Sequence, residues 1–373
     1  MSSDLLYSDV EDDLRSAVRG LLADRCAPAD VLAHVAGGAS HDGALWRTLG
    51  REMGLAGLLV PEKLGGQGAS AREAAVVLEE LGAFVAPVPF LGSAVLATSA
   101  LLAAGTEDAD AVAARLAEGT EPAVLAVPLP TAPDAAFPAT VRADADGVLT
   151  GRVTSVADGS AAGLLLVPAL GPEGPELYAV RADAEGVEVS VPVPLDLTRP
   201  IADITFTGTS GRRVAGPGSA GAAVRAALLT GAGLLASEQL GVAQWCLDET
   251  VRYLKERHQF GRVVGSFQAL KHRFADLWLE LVQARAAARN AADALARGDR
   301  EAAVAVAVAQ AFCAPVAVRA AEECIQLHAG IGMTWEHPAH LYLKRAKADE
   351  IALGTPGRHR AALAALVDLP PAN

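Results

Sequence analysis

A chain of 373 residues is long for one core and leaves room for two or three packed units. Half of it is apolar and only 4% aromatic, which predicts Ala-rich helices in close contact. The net charge of -13 argues against a nucleic-acid partner, because no basic patch is present to displace counterions. Cys26, Cys246, Cys313 and Cys324 are far apart with no CxxC pair, as expected of reduced thiols in a cytoplasmic protein. No basic, apolar leader opens the sequence, so no export signal is expected. The apolar run Ala302 to Val318 is interrupted by Gln310 and Pro315 and reads as a helix buried between helices, not a membrane span.

From Tyr7 to about Glu118 the pattern is helical. Ser8 and Asp9 can cap a first helix carrying Val10, Leu14, Val18 and Leu22 on one stripe. Trp46 to Met53 predicts a second helix that stops at Gly54. Gly65, Gly66 and Gly68 close a glycine-rich loop with no Lys-Ser/Thr after it, which reads as a turn and not as a phosphate cradle. Ser70 and Glu73 form a capping box before the next helix. Near Glu121 the texture changes to short alternating runs: 124–127, 140–142, 148–150, 164–167, 187–189 and 204–206. Asp146-Gly147 signals a hairpin. The helical period returns at Ser219, in segments reaching Arg257, 267–297, 302–327 and 354–366. The order predicts an α+β chain with a helical domain (1–120), a small antiparallel β domain (121–218) and a C-terminal helical bundle (219–373).

Between the first two C-terminal helices stands Arg257-His258-Gln259-Phe260-Gly261, with Phe267-Gln268 a turn further on. Gly261 is placed as a helix C′ residue would be. Arg257 offers a rigid fork of donors suited to a diphosphate, Phe260 a flat face, and Gln259 and Gln268 amides. On spacing alone the same residues also fit a helix-end salt bridge, a core phenylalanine and two surface amides. His272, Asp276 and Glu280 share a helix face at metal-like spacing, but a polar face suffices, and no metal is expected. His328, His337 and His340 read as loop or interface histidines.

Three separated motifs give the chain a resemblance to the acyl-CoA dehydrogenase family over essentially its whole length. They are Gly54-Leu55-x-Gly57-Leu58-x-Val60-Pro61-Glu62-x-x-Gly65-Gly66-x-Gly68, Tyr253-x3-Arg257-x-Gln259-Phe260-Gly261 with Phe267-Gln268, and Gln326-x2-Ala329-Gly330-x-Gly332 with Glu336. The resemblance implies that family's fold, an FAD cofactor and α,β-dehydrogenation of a fatty or steroid acyl-CoA. It implies a carboxylate that takes the α proton and a flavin that accepts the hydride, with electron-transfer flavoprotein as the acceptor. In such proteins each flavin is shared between two chains. Arg257, Gln259, Phe260, Gln268, Gln326 and Gly330 match the half that grips the neighbour's diphosphate and adenine.

The half that would serve the chain's own flavin is missing. Where the family carries Thr-Glu-Pro-Gly-Ala-Gly-Ser-Asp, this chain reads Pro128-Leu129-Pro130-Thr131-Ala132-Pro133-Asp134, and the prolines remove backbone donors. Ser155-Val156-Ala157 stands where the family packs Trp-Ile-Thr on the ring. The two positions that carry the family's glutamate base are Leu353 and Gly231 here. The chain therefore looks like the non-catalytic subunit of a bacterial α2β2 steroid side-chain acyl-CoA dehydrogenase. The run Met333 to Ala346 is similar to the same subgroup. A homologous partner would supply the glutamate, the ring bed and most of the acyl-CoA site. Two other readings stay open: a homo-oligomeric enzyme with its base moved to Glu350 or Glu238, and a purely structural subunit.

Overall fold

The structure is a computed structural model that describes residues 5–38 and 41–369. The N-terminal helices are α1 (Asp9–Arg25), α2 (Pro28–Gly37), α3 (Gly43–Arg47), α4 (Ala71–Ala83), α5 (Thr98–Ala104) and α6 (Glu107–Ala117). Both expected capping boxes form, Ser8 with Glu11 at α1 and Ser70 with Glu73 at α4. The glycine-rich loop is a compact turn, in which Gln67 N–H donates to the carbonyl of Gly57 and Gly68 N–H to that of Val60.

Eight strands follow: β1 (Ala123–Leu125), β2 (Val141–Ala143), β3 (Val148–Ala157), β4 (Leu164–Gly171), β5 (Gly174–Arg181), β6 (Val187–Ser190), β7 (Ile201–Ser210) and β8 (Arg212–Ala215). They make one sheet in the order β6-β7-β3-β2-β4-β5-β8, with β1 against β4. The sheet is mixed where the sequence pattern points to an antiparallel one, because β1 and β2 both pair with β4 in parallel. Strand β5 is hidden in the sequence because Gly171-Pro172-Glu173-Gly174-Pro175-Glu176 reads as loop, yet its hairpin with β4 pairs without a break.

The C-terminal region holds α7 (Ala220–Glu256), a two-stranded hairpin of β9 (His258–Gln259) and β10 (Arg262–Val263), then α8 (Gln268–Ala296), α9 (Ala302–His328), α10 (Ala339–Ile351) and α11 (Pro356–Leu366). α10 is an element the sequence pattern does not announce. α7 is the central element, packed on α4, α8 and α9. Both α7 and α9 are long and apolar enough to cross a membrane, and both lie in the bundle with most of their apolar stretch covered. Gly82 and Gly241 let α4 and α7 touch backbone to backbone: a Cβ on Gly82 would collide with the carbonyl oxygen of Glu238, and one on Gly241 with that of Glu79.

Where β6–β7, α7 and α10 meet, a set of charges is fully buried. Arg345 donates to Asp196 at 2.5 Å, to Glu238 at 2.6 Å and to the Thr198 hydroxyl at 2.7 Å. Arg199 donates to Glu238 at 2.5 Å and to Asp349 at 2.7 Å. Asp158, just past the end of β3, is buried beside this set, and burial raises its pKa to about 6 from 3.8. A carboxyl raised on folding favours the folded state below its unfolded value, and that contribution is lost as pH climbs toward 6. Asp158→Asn is therefore expected to flatten the loss of stability between about pH 4 and pH 6. Urea midpoints across that interval measure it, and an unchanged pH profile would refute the assignment.

Candidate functional site

The hairpin after α7 corrects one expectation. Gly261 does not end a helix: α7 stops at Glu256, and Arg257 is already extended at φ −74 and ψ 129. Phe260 (φ 53) and Gly261 (φ 75) instead form the two central residues of a tight turn between β9 and β10. Positive φ at both positions is what a type I′ hairpin turn requires, and for a phenylalanine it costs roughly 1–3 kcal/mol. The turn holds Phe260 out in solvent, 91% exposed, so it is no core residue. Gln259 and Gln268 are exposed on either side of it, and Arg257 is exposed at its base. Among the described residues none of the side chains of Arg257, Gln259, Gln268 and Gln326 has an ion pair or hydrogen bond within the chain. An arginine fork and three amides are thus exposed without a partner among the described residues.

Gln326 and Gly330 belong to the neighbouring end of α9. The two segments are joined by the ring of His328 stacked on Tyr253 at 4.4 Å, one turn before Arg257. Gly330 sits in ordinary helical backbone with nothing within 4 Å of a Cβ built on it, so its bareness serves no packing need of its own chain. Ala329 is the strained position, at φ 53 and ψ −132, a region that suits glycine. Ala329→Gly is expected to stabilise the protein by about 1 kcal/mol, strain relief outweighing the added unfolded-state freedom. A urea midpoint that stays put or falls would contradict this. The sequence pattern misses Arg262, whose guanidinium lies 3.8 Å from the centre of the Phe267 ring, which meets Phe260 edge-on at 6.3 Å.

The two positions expected to lack a base converge in space. Leu353 is fully buried, and a Cβ built on Gly231 would lie 3.1 Å from its Cδ1 and collide with Leu96. Leu96, Val127, Leu129, Ala157 and Leu353 enclose a void of about 10 Å³, no more than one water needs. The proline-rich segment closes it from the other side. Leu129 N–H donates to the carbonyl of Ser155 at 2.9 Å, and Leu353 N–H donates to the carbonyl of Leu129 at 2.7 Å. One residue of that ribbon thus ties the end of β3 to the end of α10.

Of the two alternative carboxylates, Glu238 is locked in the buried charge set and Glu350 lies in a partly exposed pair on α10. Glu238 is 1% exposed and gripped by Arg199 and Arg345. Burial alone would raise its pKa, but the two guanidinium groups overcome that and hold it below the usual range. It is a structural anion, not the solvated helix charge its sequence context suggests. Glu350 pairs with Lys347 at 3.5 Å on α10. A cavity of about 490 Å³ lies between α7, α9 and α11, lined by Arg225, Leu229, Val306 and His359 among others. Asp134 on its wall is paired with Arg358 at 2.9 Å. Of the polar stripe on α8, Glu280 is paired with Arg319. Against expectation, His328 is no loop residue but the last residue of α9, 1% exposed.

Comparison with known proteins agrees with this architecture. Residues 8–119 match the acyl-CoA dehydrogenase N-terminal domain and residues 221–367 the acyl-CoA dehydrogenase C-terminal domain. The chain is 36% identical over 343 residues to acyl-CoA dehydrogenase IpdE2 of Mycobacterium tuberculosis, covering 92% of each protein. It superposes on a chain of the ChsE4-ChsE5 complex from Mycobacterium tuberculosis with a TM-score of 0.88 at 29% identity, covering 99% of this chain and 100% of that one. A chain of a variant of the Tcur3481-Tcur3483 steroid ACAD matches with a TM-score of 0.85, also at 29% identity, over 96% of this chain and 98% of that one. The chain belongs to the acyl-CoA dehydrogenase family.

Proposed function

We propose that this chain is the non-catalytic subunit of a heteromeric acyl-CoA dehydrogenase, holding the diphosphate and adenine of a flavin whose ring lies in a homologous partner. FAD is the cofactor of this family, and the chain fits its two ends unequally. The exposed corner of Arg257, Gln259, Phe260, Gln268, Gln326 and Gly330 offers unpaired donors and an open backbone. The ring end fits poorly, since the two base positions are Leu353 and Gly231, packed with Leu96 and Leu129, and Pro128, Pro130 and Pro133 offer no backbone donors beside them. The observation that carries the reading is this apolar base position, in which Leu353 lies directly against Gly231 beside Leu96. This chain's own residues take no part in breaking the C–H bonds. Its part is to orient the cofactor, while the partner supplies the base and the acyl-CoA pocket.

Likeness to one chain of a two-protein ChsE4-ChsE5 complex supports a heteromer, and likeness to the Tcur3481-Tcur3483 steroid ACAD supports a steroid-derived acyl-CoA as substrate. Electron-transfer flavoprotein then takes the electrons, in a cytoplasmic complex. Purifying the chain alone and together with a homologous glutamate-bearing subunit tests this. The chain alone should be colourless and inactive, and the pair should hold a single FAD per heterodimer. A yellow, active preparation of this chain by itself would overturn the proposal.

A further inference from the structure

Behind the exposed corner, three ligand-type side chains from distant parts of the sequence face one cavity. Glu249 comes from α7, His328 ends α9, and His337 stands two residues before α10. Nε2 of His328 lies 3.9 Å and Nε2 of His337 3.8 Å from the same oxygen of Glu249, and the three ligand atoms all fall within 4.8 Å of one another. We propose that Glu249, His328 and His337 form a binding site for a divalent transition-metal ion of the zinc class.

His328 carries the argument. Its Nδ1–H donates to the carbonyl of Cys324 at 2.7 Å, which fixes the tautomer with a bare lone pair on Nε2. That nitrogen is buried and has no hydrogen-bond partner among the described residues. A backbone carbonyl on one ring nitrogen and an unmet lone pair on the other is the outer-shell arrangement that orients metal-binding histidines. A cavity of about 390 Å³ opens in front of it, lined by Trp245, Tyr253, Ile331 and His337, with room for water to complete the coordination. Two imidazoles and one carboxylate with an open position suit zinc better than magnesium or calcium, which prefer oxygen throughout.

The set must close slightly to bind. Tetrahedral zinc with bonds of about 2.0–2.1 Å holds its ligand atoms roughly 3.4 Å apart, so each histidine must close on Glu249 by about half an ångström from 3.8–3.9 Å. Glu249 also accepts from Arg252, at 2.5 and 2.9 Å, but that arginine is more than half exposed and can turn outward. His337 now receives Ala339 N–H on Nδ1 at 3.2 Å, which leaves its proton on Nε2. Ligation would move that proton to Nδ1 and give up this long contact, so the start of α10 should loosen when metal binds. The ion would then link α7 to the loop that carries Gly330.

Calorimetric titration of the chelator-washed full chain with zinc chloride near neutral pH tests the site. A single saturable zinc per chain is expected, weakened roughly tenfold or more by His328→Ala and by His337→Ala, and unaffected by His272→Ala on the α8 surface. Cobalt in place of zinc should give the visible bands of a four-coordinate site, lost in the same variants. If His328→Ala does not fold, His337→Ala decides alone, because its ring lies nearer the surface. Absence of saturable binding to the unaltered chain, or unchanged affinity in His337→Ala, would overturn the proposal.

Discussion

Arg345→Met is expected to destabilise the protein by about 3–5 kcal/mol, the largest effect predicted for any single substitution in this chain. The side chain is fully buried and donates to Asp196, Glu238 and Thr198, so its loss strands two carboxylates away from water. Arg199 alone then faces Glu238, Asp349 and Asp196. Domains of this kind hold about 5–15 kcal/mol in total, so the variant should be marginal at room temperature. Breaking one member of a buried set costs far more than replacing the set, because the cost lies in the uncompensated charge. A triple variant, Arg345→Met with Asp196→Asn and Glu238→Gln, should therefore recover much of the loss. Urea denaturation of the three proteins decides it. A loss below about 1 kcal/mol for Arg345→Met would mean that water reaches these groups and the charges are not truly buried.

The second large effect is on cofactor binding. Arg257→Ala in the assembled heteromer should weaken FAD retention by about 10- to 100-fold, the usual range for losing a charge-assisted pair to phosphate. Its guanidinium contacts no carboxylate among the described residues of its own chain, so the same substitution should leave the urea midpoint of the isolated subunit nearly unchanged. Equilibrium dialysis of flavin from the complex, set beside that midpoint, separates binding from folding. Flavin content that does not change would favour a subunit that uses this fold only for assembly.

Much of the fold is legible in the sequence because its signals are local. The Ser8 and Ser70 caps, the Asp146-Gly147 turn and the long apolar periods of α7 to α9 each depend on a few neighbouring residues. Family likeness supplies what local pattern cannot, namely the expectation that Arg257 and Gln326 serve one cofactor. The hairpin escapes local reading because Gly261 suits a helix end as well as a type I′ turn, and only the pairing of Gln259 with Arg262 separates the two. The buried charges are invisible for a different reason. Asp196 and Arg199 on the β6–β7 connection, Glu238 on α7, and Arg345 and Asp349 on α10 come from three distant segments, and each alone looks like a solvated residue. That Leu353 and Gly231 carry no carboxylate can be read from identity alone. That Leu96 seals the gap between them is a fact of tertiary packing, which no local pattern encodes.

The ribbon through Leu129 has a consequence for how such a subunit is made. Here the base position is held by two backbone hydrogen bonds, through Leu129 and Leu353, and packed with leucine. If the proposed division of labour holds, this polypeptide folds independently of riboflavin supply, and scarcity of the vitamin would fall on its companion.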